Sequence, residues 1–226
     1  MTDEPKIYSL GDGAVNVHFG DGISVQLNEQ AISLADQLEL DRFPGFIETV
    51  PAFSSTAVFY DPLVVRASFP LSVNAFEAVS DLVRTALRRG HKSKTRENRL
   101  IEIPTDFSEA AAIDLSIVSE FSGLDESEVV DLFTSRTYRV YMLGFLPGFT
   151  YMAEVDDRIA APRKDSPRKK VPKGSVGIAG RQTGIYPLES PGGWQIVGRT
   201  SIPLFSPDTD PMSLLRPGDE VRFVRV

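Results

Sequence analysis

Six cations fall between Arg163 and Lys173, namely Arg163, Lys164, Arg168, Lys169, Lys170 and Lys173, opposed within the run only by Asp165. Two of them follow prolines, Pro162-Arg163 and Pro167-Arg168, so their guanidinium groups leave a backbone of fixed φ. A fork presented in this way suits two-point capture of a carboxylate or phosphate. In a chain of formal net charge −7 the run reads either as a local anion site or as a solvated basic loop. The glycine-rich stretch from Gly174 to Gly184 could bring backbone close to a ligand, but neither a P-loop, nor a dinucleotide fingerprint, nor a nucleophile elbow occurs anywhere. Those glycines serve equally well as turn and sheet-corner residues. Ser190 presents a hydroxyl ahead of Pro191-Gly192-Gly193-Trp194, yet as a nucleophile it would need a lysine or a base from outside. Tyr186 and Trp194 read as pocket wall or core.

Composition narrows the chemistry further. With no cysteine there is no disulfide, thiolate nucleophile or cysteine-ligated zinc, and two histidines, His18 and His91, leave little for a metal site or a Ser-His-Asp triad. No metal is expected, and no single residue stands out as catalytic. The acidic balance argues against nucleic acid as a partner. The N-terminus lacks an apolar signal core and no run approaches the ~20 apolar residues of a membrane span, so a cytoplasmic protein that does not meet the membrane is expected.

The elements that must hold these residues divide the 226-residue chain into two domains. Ala14 to Phe19 alternate as a half-buried strand that leaves His18 on its polar side, and Gly20-Asp21-Gly22 leads to a second strand over Ile23 to Leu27, predicting a hairpin. From Asn28, placed as an N-cap, Ala31, Leu34, Ala35 and Leu38 recur at helical spacing as far as Pro44-Gly45. Phe46 to Val50 and Thr56 to Tyr60 read as strands, with Asp61-Pro62 as punctuation. Asn74 and Glu77 then open a helix with the stripe Phe76, Val79, Val83 and Leu87, stopped at Gly90. Two strands and a helix, twice over, predict a small α+β sandwich with both helices on one face of an antiparallel sheet, as in ferredoxin-like folds. This N-terminal domain covers 1–92, and 93–99, within the polar run Arg88 to Arg99, is the linker.

In the second domain, 100–226, Leu100 to Ile103 form a strand ended by Pro104. Helices follow over Ser108 to Phe121, stopped by Gly123, and from Asp125, with Glu128 in capping-box position. Thr137 to Leu143, Trp194 to Val197 and Glu220 to Val226 are strand-like, the last preceded by the turn Pro217-Gly218-Asp219. Many strands separated by turns suggest a barrel or sandwich.

A longer pattern goes beyond these local signals. Tyr138-Arg139-Val140-Tyr141-Met142-Leu143-Gly144-Phe145, Pro147-Gly148-Phe149, Pro162-Arg163, Pro167-Arg168, Gly174-Ser175-Val176, Gln182-Thr183-Gly184-Ile185-Tyr186-Pro187 and Ser190-Pro191-Gly192-Gly193-Trp194 closely resemble the family of allophanate hydrolase subunit 1, also called KipI or the B subunit of 5-oxoprolinase. Weaker similarity at Gly11-Asp12, Asn28-Glu29, Val50-Pro51 and Tyr60-Asp61-Pro62 extends it over nearly the whole chain. The resemblance implies a ferredoxin-like N-terminal domain and a cyclophilin-like β-barrel. It implies an enzyme acting as one subunit of a complex, an ATP-dependent 5-oxoprolinase that hydrolyses the lactam of 5-oxo-L-proline to L-glutamate. Its partners would be the C subunit of 5-oxoprolinase, of the allophanate hydrolase subunit 2 type, and the A subunit. ATP would be used by the complex.

Carried onto matching positions, Arg163 and Arg168 would bind an anion, Gln182 and Ser190 would make polar contacts, and Tyr186 and Trp194 would wall the pocket. Two places depart from the family pattern. Its Gly-Pro-Asp-Leu segment keeps only Asp114-Leu115 after Ala112-Ile113, and a histidine usual before the Tyr138 strand is matched by Phe133. A diverged subunit of another amide hydrolase or carboxyltransferase is therefore an alternative. So is a KipI-type regulator that binds and inhibits a sensor histidine kinase. A prolyl isomerase would follow from fold alone, which does not imply function.

Overall fold

In a computed structural model the chain divides into two compact units, Met1–Glu97 and Asn98–Val226. The structure describes residues 4–89 and 99–226. The expected linker, apart from Arg99, lies outside the described residues, as do His91 and Gly90.

The first unit is an antiparallel sheet carrying helices. Its strands are β1 (Lys6–Ser9), β2 (Ala14–His18), β3 (Phe46–Pro51) and β4 (Ser55–Tyr60), in the order β1-β2-β4-β3. Val15 pairs with Val58 and Val17 with Thr56, so these residues share one face, and all four are fully buried. Against that face pack Leu34 and Leu38 of α1 (Val25–Leu40) and Val79 and Val83 of α3 (Ala75–Arg89). Thr56 Oγ1 donates to the Ala31 carbonyl at 2.7 Å, whereas the buried Ser80 hydroxyl of α3 has no partner among the described residues. At the head of α3 the Asn74 side chain accepts the Glu77 N–H at 2.8 Å, as the spacing predicts.

Three expectations fail here for identifiable reasons. Ile23 to Leu27 is not a strand, because Ser24 accepts the Leu27 N–H at 3.1 Å and starts α1 four residues ahead of Asn28. Asn28 is consequently a buried helix residue whose Nδ2 donates to the Ala52 carbonyl at 2.9 Å. The hairpin partner of β2 is β1, on its N-terminal side. Asp61-Pro62 also does more than punctuate: Asp61 caps and Pro62 opens a further short helix, α2 (Pro62–Ser68).

The second unit is built on a seven-stranded sheet. β5 (Leu100–Thr105), β6 (Thr137–Leu143), β7 (Thr150–Ala153), β9 (Ser175–Ala179), β10 (Gln182–Ile185), β12 (Gln195–Arg199) and β13 (Glu220–Arg225) lie in the order β12-β9-β10-β7-β6-β13-β5. The outermost strands meet where Asp106 and Arg199 exchange backbone hydrogen bonds of 2.8 and 2.9 Å, so the sheet curls almost into a closed barrel. A two-stranded ribbon, β8 (Arg168–Val171) with β11 (Ser190–Gly192), lies outside it.

The interior holds Ile103, Val140, Met152, Ile178, Ile185, Val221 and Phe223, joined by Leu115 and Val118 of α4 (Leu115–Ser122) and Val129 and Phe133 of α5 (Glu126–Thr134). Phe133 stacks on Phe223 with centroids 4.9 Å apart, and its carbonyl accepts the Tyr138 hydroxyl at 2.8 Å. The departure at Phe133 is therefore a core residue. Asp125 and Glu128 form the expected capping box, and Gly123 ends α4 at φ 70°.

Pro104 does not stop β5. That strand pairs in register with β13 through Thr105, and on a terminal strand the missing N–H is tolerated. The helix expected from Ser108 begins only at Leu115, since both Ala111 and Ala112 donate backward to the Ser108 carbonyl in a turn. Among the described residues no helix is long and apolar enough to cross a membrane, and no cluster of His, Asp and Glu could hold a metal ion.

Candidate functional site

Asp114 stands at the N-cap of α4, yet its carboxylate does not cap the helix. It turns instead toward β8 and β12. Arg168 reaches it with both terminal nitrogens, Nη1 to Oδ2 at 2.7 Å and Nη2 to Oδ1. Lys164 Nζ donates to Oδ1 at 3.2 Å and the Ile196 N–H to Oδ2 at 2.8 Å. The Asp114 N–H returns a bond to the Ile196 carbonyl at 2.9 Å, which fixes the start of α4 to β12. Asp114 is wholly buried, whereas the side chains of Lys164 and Arg168 keep 23% and 25% of their exposure. Burial pushes the carboxyl up, but the Arg168 hydrogen bonds, the Ile196 N–H and Lys164 together outweigh it and hold the group below the ordinary carboxylate range. The result is an ionised carboxylate orienting two cations whose outer surfaces remain wet.

Beside this cluster lies an aromatic one on the outer face of the sheet. Phe149, Val171, Tyr186, Trp194 and Ile196 pack together there. Gly177 and Gly184 face each other across β9 and β10 and form its floor. A Cβ on Gly184 would come within 2.4 Å of the Thr150 carbonyl oxygen and 3.1 Å of the Trp194 ring, so only glycine lets the indole lie against the strands. Phe149 meets Trp194 edge to face at 5.5 Å. Burial, opposed by the Trp194 N–H, pushes the Tyr186 phenol up to about 12. Over the indole sits the Arg163 guanidinium, 5.7 Å from the ring centroid, a cation–π contact from an exposed residue.

Five of the six residues expected at a site come together here. Arg163 covers Trp194, Tyr186 lies against Gly192 and Trp194, and Arg168 pairs across the ribbon with Gly192, two residues from Ser190. Gln182 does not join them: it begins β10 beside Ala153 and Ala179, at the end of the strand away from Tyr186. Ser190 is buried and its Oγ donates to the Pro191 carbonyl at 3.2 Å. The cationic run is not one loop either. Lys164 and Arg168 turn inward, Lys170 pairs with Glu189 at 2.8 Å on the surface, and Lys173 lines a cleft elsewhere on the unit.

Asp114 and Lys164 were missed as site residues. The only sequence signal for Asp114 is its place in the retained Asp114-Leu115 pair. Gln195 was missed too: its Nε2 donates to the Pro162 carbonyl at 2.9 Å while its buried Oε1 has no partner.

Residues 5–215 match the family model described as carboxyltransferase domain, subdomain C and D. The chain belongs to this family. Among carboxyltransferase-domain relatives, the B subunit of 5-oxoprolinase from Bacillus subtilis (strain 168) is 44% identical over all of this chain and 95% of its own length. The protein of the same name from Escherichia coli O157:H7 is 37% identical over 97% of this chain and 95% of its own. The crystal structure of TTHA0988 superposes with a TM-score of 0.79 at 35% identity over 94% of this chain, which spans only 39% of that longer one.

Proposed function

We propose that this carboxyltransferase-domain chain is one subunit of an ATP-dependent 5-oxoprolinase, hydrolysing the lactam of 5-oxo-L-proline to L-glutamate only with its partners. What carries the reading is similarity over essentially the full length to two relatives named as the B subunit of 5-oxoprolinase. The local chemistry supports it. A lactam is a poor electrophile, and phosphorylation of its oxygen converts that oxygen to a leaving group. Arg163, steadied on Trp194, and the outer donors of Lys164 and Arg168 suit the substrate carboxylate or the phosphate charge that develops. Tyr186 walls the locus and Ser190 offers a polar contact; Gln182 would act at its margin. The partners are the C subunit of the enzyme, of the allophanate hydrolase subunit 2 type, and its A subunit, and a complex that draws on ATP belongs in the cytoplasm. The two units are the ferredoxin-like (1–92) and cyclophilin-like (100–226) domains of that family, supported by helices on one face of the first sheet and near-closure of the second.

The test is reconstitution. The chain co-purified with the C and A subunits should form glutamate from 5-oxo-L-proline and ATP, and the chain alone should not. Arg163→Gln should raise KM about tenfold, the equivalent of one charge-assisted hydrogen bond of about 1.5 kcal/mol. A complex that forms no glutamate overturns the function; an unchanged KM removes Arg163 from the site.

A further inference from the structure

Arg163 lies on a strap, residues 161–164, that crosses from the interior of the second unit to its outer face. Ala161 is buried in the core, whereas the Arg163 guanidinium rests over Trp194. Three hydrogen bonds tie the strap to the strands beside it. The Gly180 N–H donates to the Ala161 carbonyl at 2.8 Å, Gln195 Nε2 to the Pro162 carbonyl at 2.9 Å, and the Lys164 N–H to the Gly193 carbonyl at 2.8 Å. The residues immediately before and after Arg163 are therefore both held, and Pro162 adds a fixed φ. Of these three ties only that of Gln195 is made by a side chain.

The Gln195 amide is not explained by stability. On β12 it lies opposite Ile178, a core residue, while its neighbours Trp194 and Ile196 belong to the aromatic cluster. It is 5% exposed. A carbonyl only accepts, so Nε2 must face Pro162, and Oε1 is left buried without a partner among the described residues. A buried acceptor with no donor costs the fold, and an apolar side chain of similar volume would avoid that cost. We propose that Gln195 is a positioning residue for the anion site: by holding the Pro162 carbonyl it sets the Arg163 guanidinium over Trp194, and so fixes the point at which a carboxylate or phosphate of the ligand is bound. Consecutive residues of β12 thus place the indole and the cation above it. The identity of the ligand rests on the 5-oxoprolinase reading; the placing of Arg163 does not.

The experiment compares Arg163→Gln, Gln195→Leu and the double variant in three measurements. Emission of Trp194, the only tryptophan, reports the cation over the indole in the full-length chain without any activity. Arg163→Gln should change it, Gln195→Leu should produce most of the same change, and the double variant should add nothing to Arg163→Gln. In the reconstituted complex Gln195→Leu should raise KM about three- to tenfold with kcat unchanged, and the double variant should match Arg163→Gln rather than multiply the two effects. The urea midpoint of Gln195→Leu should be at or above that of wild type, since the orphaned oxygen goes and the carbonyl of the exposed Pro162 turns to water. Where Gln195→Leu does not fold, Gln195→Met, which keeps the length and lacks the donor, takes its place. Emission changed by Arg163→Gln but not by the Gln195 variant overturns the proposal, as do effects on KM that multiply in the double variant. Emission that neither variant changes also overturns it, because Arg163 then does not rest on the indole. A lowered urea midpoint with KM unchanged marks the amide as structural only. An unchanged KM in Arg163→Gln removes Arg163 from the substrate site instead, and the emission comparison then decides whether Gln195 places it.

Discussion

Asp114 determines how the neighbouring cations are used. An exposed Lys164 and Arg168 would be a solvated basic loop; tied to a buried carboxylate they become oriented donors. Asp114→Asn removes the charge but keeps the shape, and breaking a buried pair on one side costs about 3 kcal/mol. Urea unfolding at pH 7 should show that loss, and equal midpoints for variant and wild type would mean the cluster holds nothing together. The pH dependence has a definite sign. The folded pKa lies below the unfolded value of about 3.9, so the stabilisation is present above pH ~4 and disappears as pH falls through the folded pKa. The acid limb of the stability curve should therefore flatten in Asp114→Asn. Tyr186 works in the opposite direction. With its phenol pushed up to about 12 by burial, the fold is favoured below pH ~10 and loses that contribution between ~10 and about 12. Absorbance titration should find native phenolate formation delayed past pH 10 and released at once on unfolding, and in Tyr186→Phe one fewer late-titrating group.

At the scale of elements, what could be read in the sequence was whatever a few adjacent residues decide. The capping box of Asp125 and Glu128, the stripe of α3 and the alternation of β4 are local patterns, and each is where its spacing puts it; β2 is a strand where expected but is buried on both faces, Asn16 included. Errors arose where two local signals competed. Ser24 and Asn28 are both good N-caps, and the choice fell to Ser24 because Asn28 has a tertiary partner in the Ala52 carbonyl. The aromatic floor was half legible: Gly177 and Gly184 stood out as glycines, but that they face each other across β9 and β10 is a matter of register. Gly184→Ala tests that floor. The added methyl overpacks against Thr150, Phe149 and Trp194 and should cost about 1–3 kcal/mol. Trp194 is the only tryptophan, so its emission reports the displacement directly. An unshifted spectrum together with wild-type stability would show that the indole does not rest on these strands.

At the scale of the whole molecule the least legible feature is closure. β5 and β12 lie about ninety residues apart in the chain and are joined by the bridge between Asp106 and Arg199, a pairing no local pattern announces. A second tie lies nearby, where Asp114 and Ile196 of β12 exchange hydrogen bonds of 2.9 and 2.8 Å, so the candidate site sits next to the closure. Gly198 is the residue that allows it. A Cβ there would sit 2.8 Å from Thr105 Cγ2 and 3.1 Å from the Asp106 carbonyl oxygen, against backbone and a β-branched side chain that have little room to give. Gly198→Ala should push the strands apart at a cost of about 1–3 kcal/mol, lowering the melting temperature by several degrees. Hydrogen exchange locates the effect: the amides of Asp106 and Arg199 should lose protection while those of β6 and β7, away from the seam, keep theirs. Global destabilisation with uniform loss of protection would mean that the sheet is held by its core alone. Selective loss would make closure a separable event, on which the orientation of Asp114 and its cations also depends.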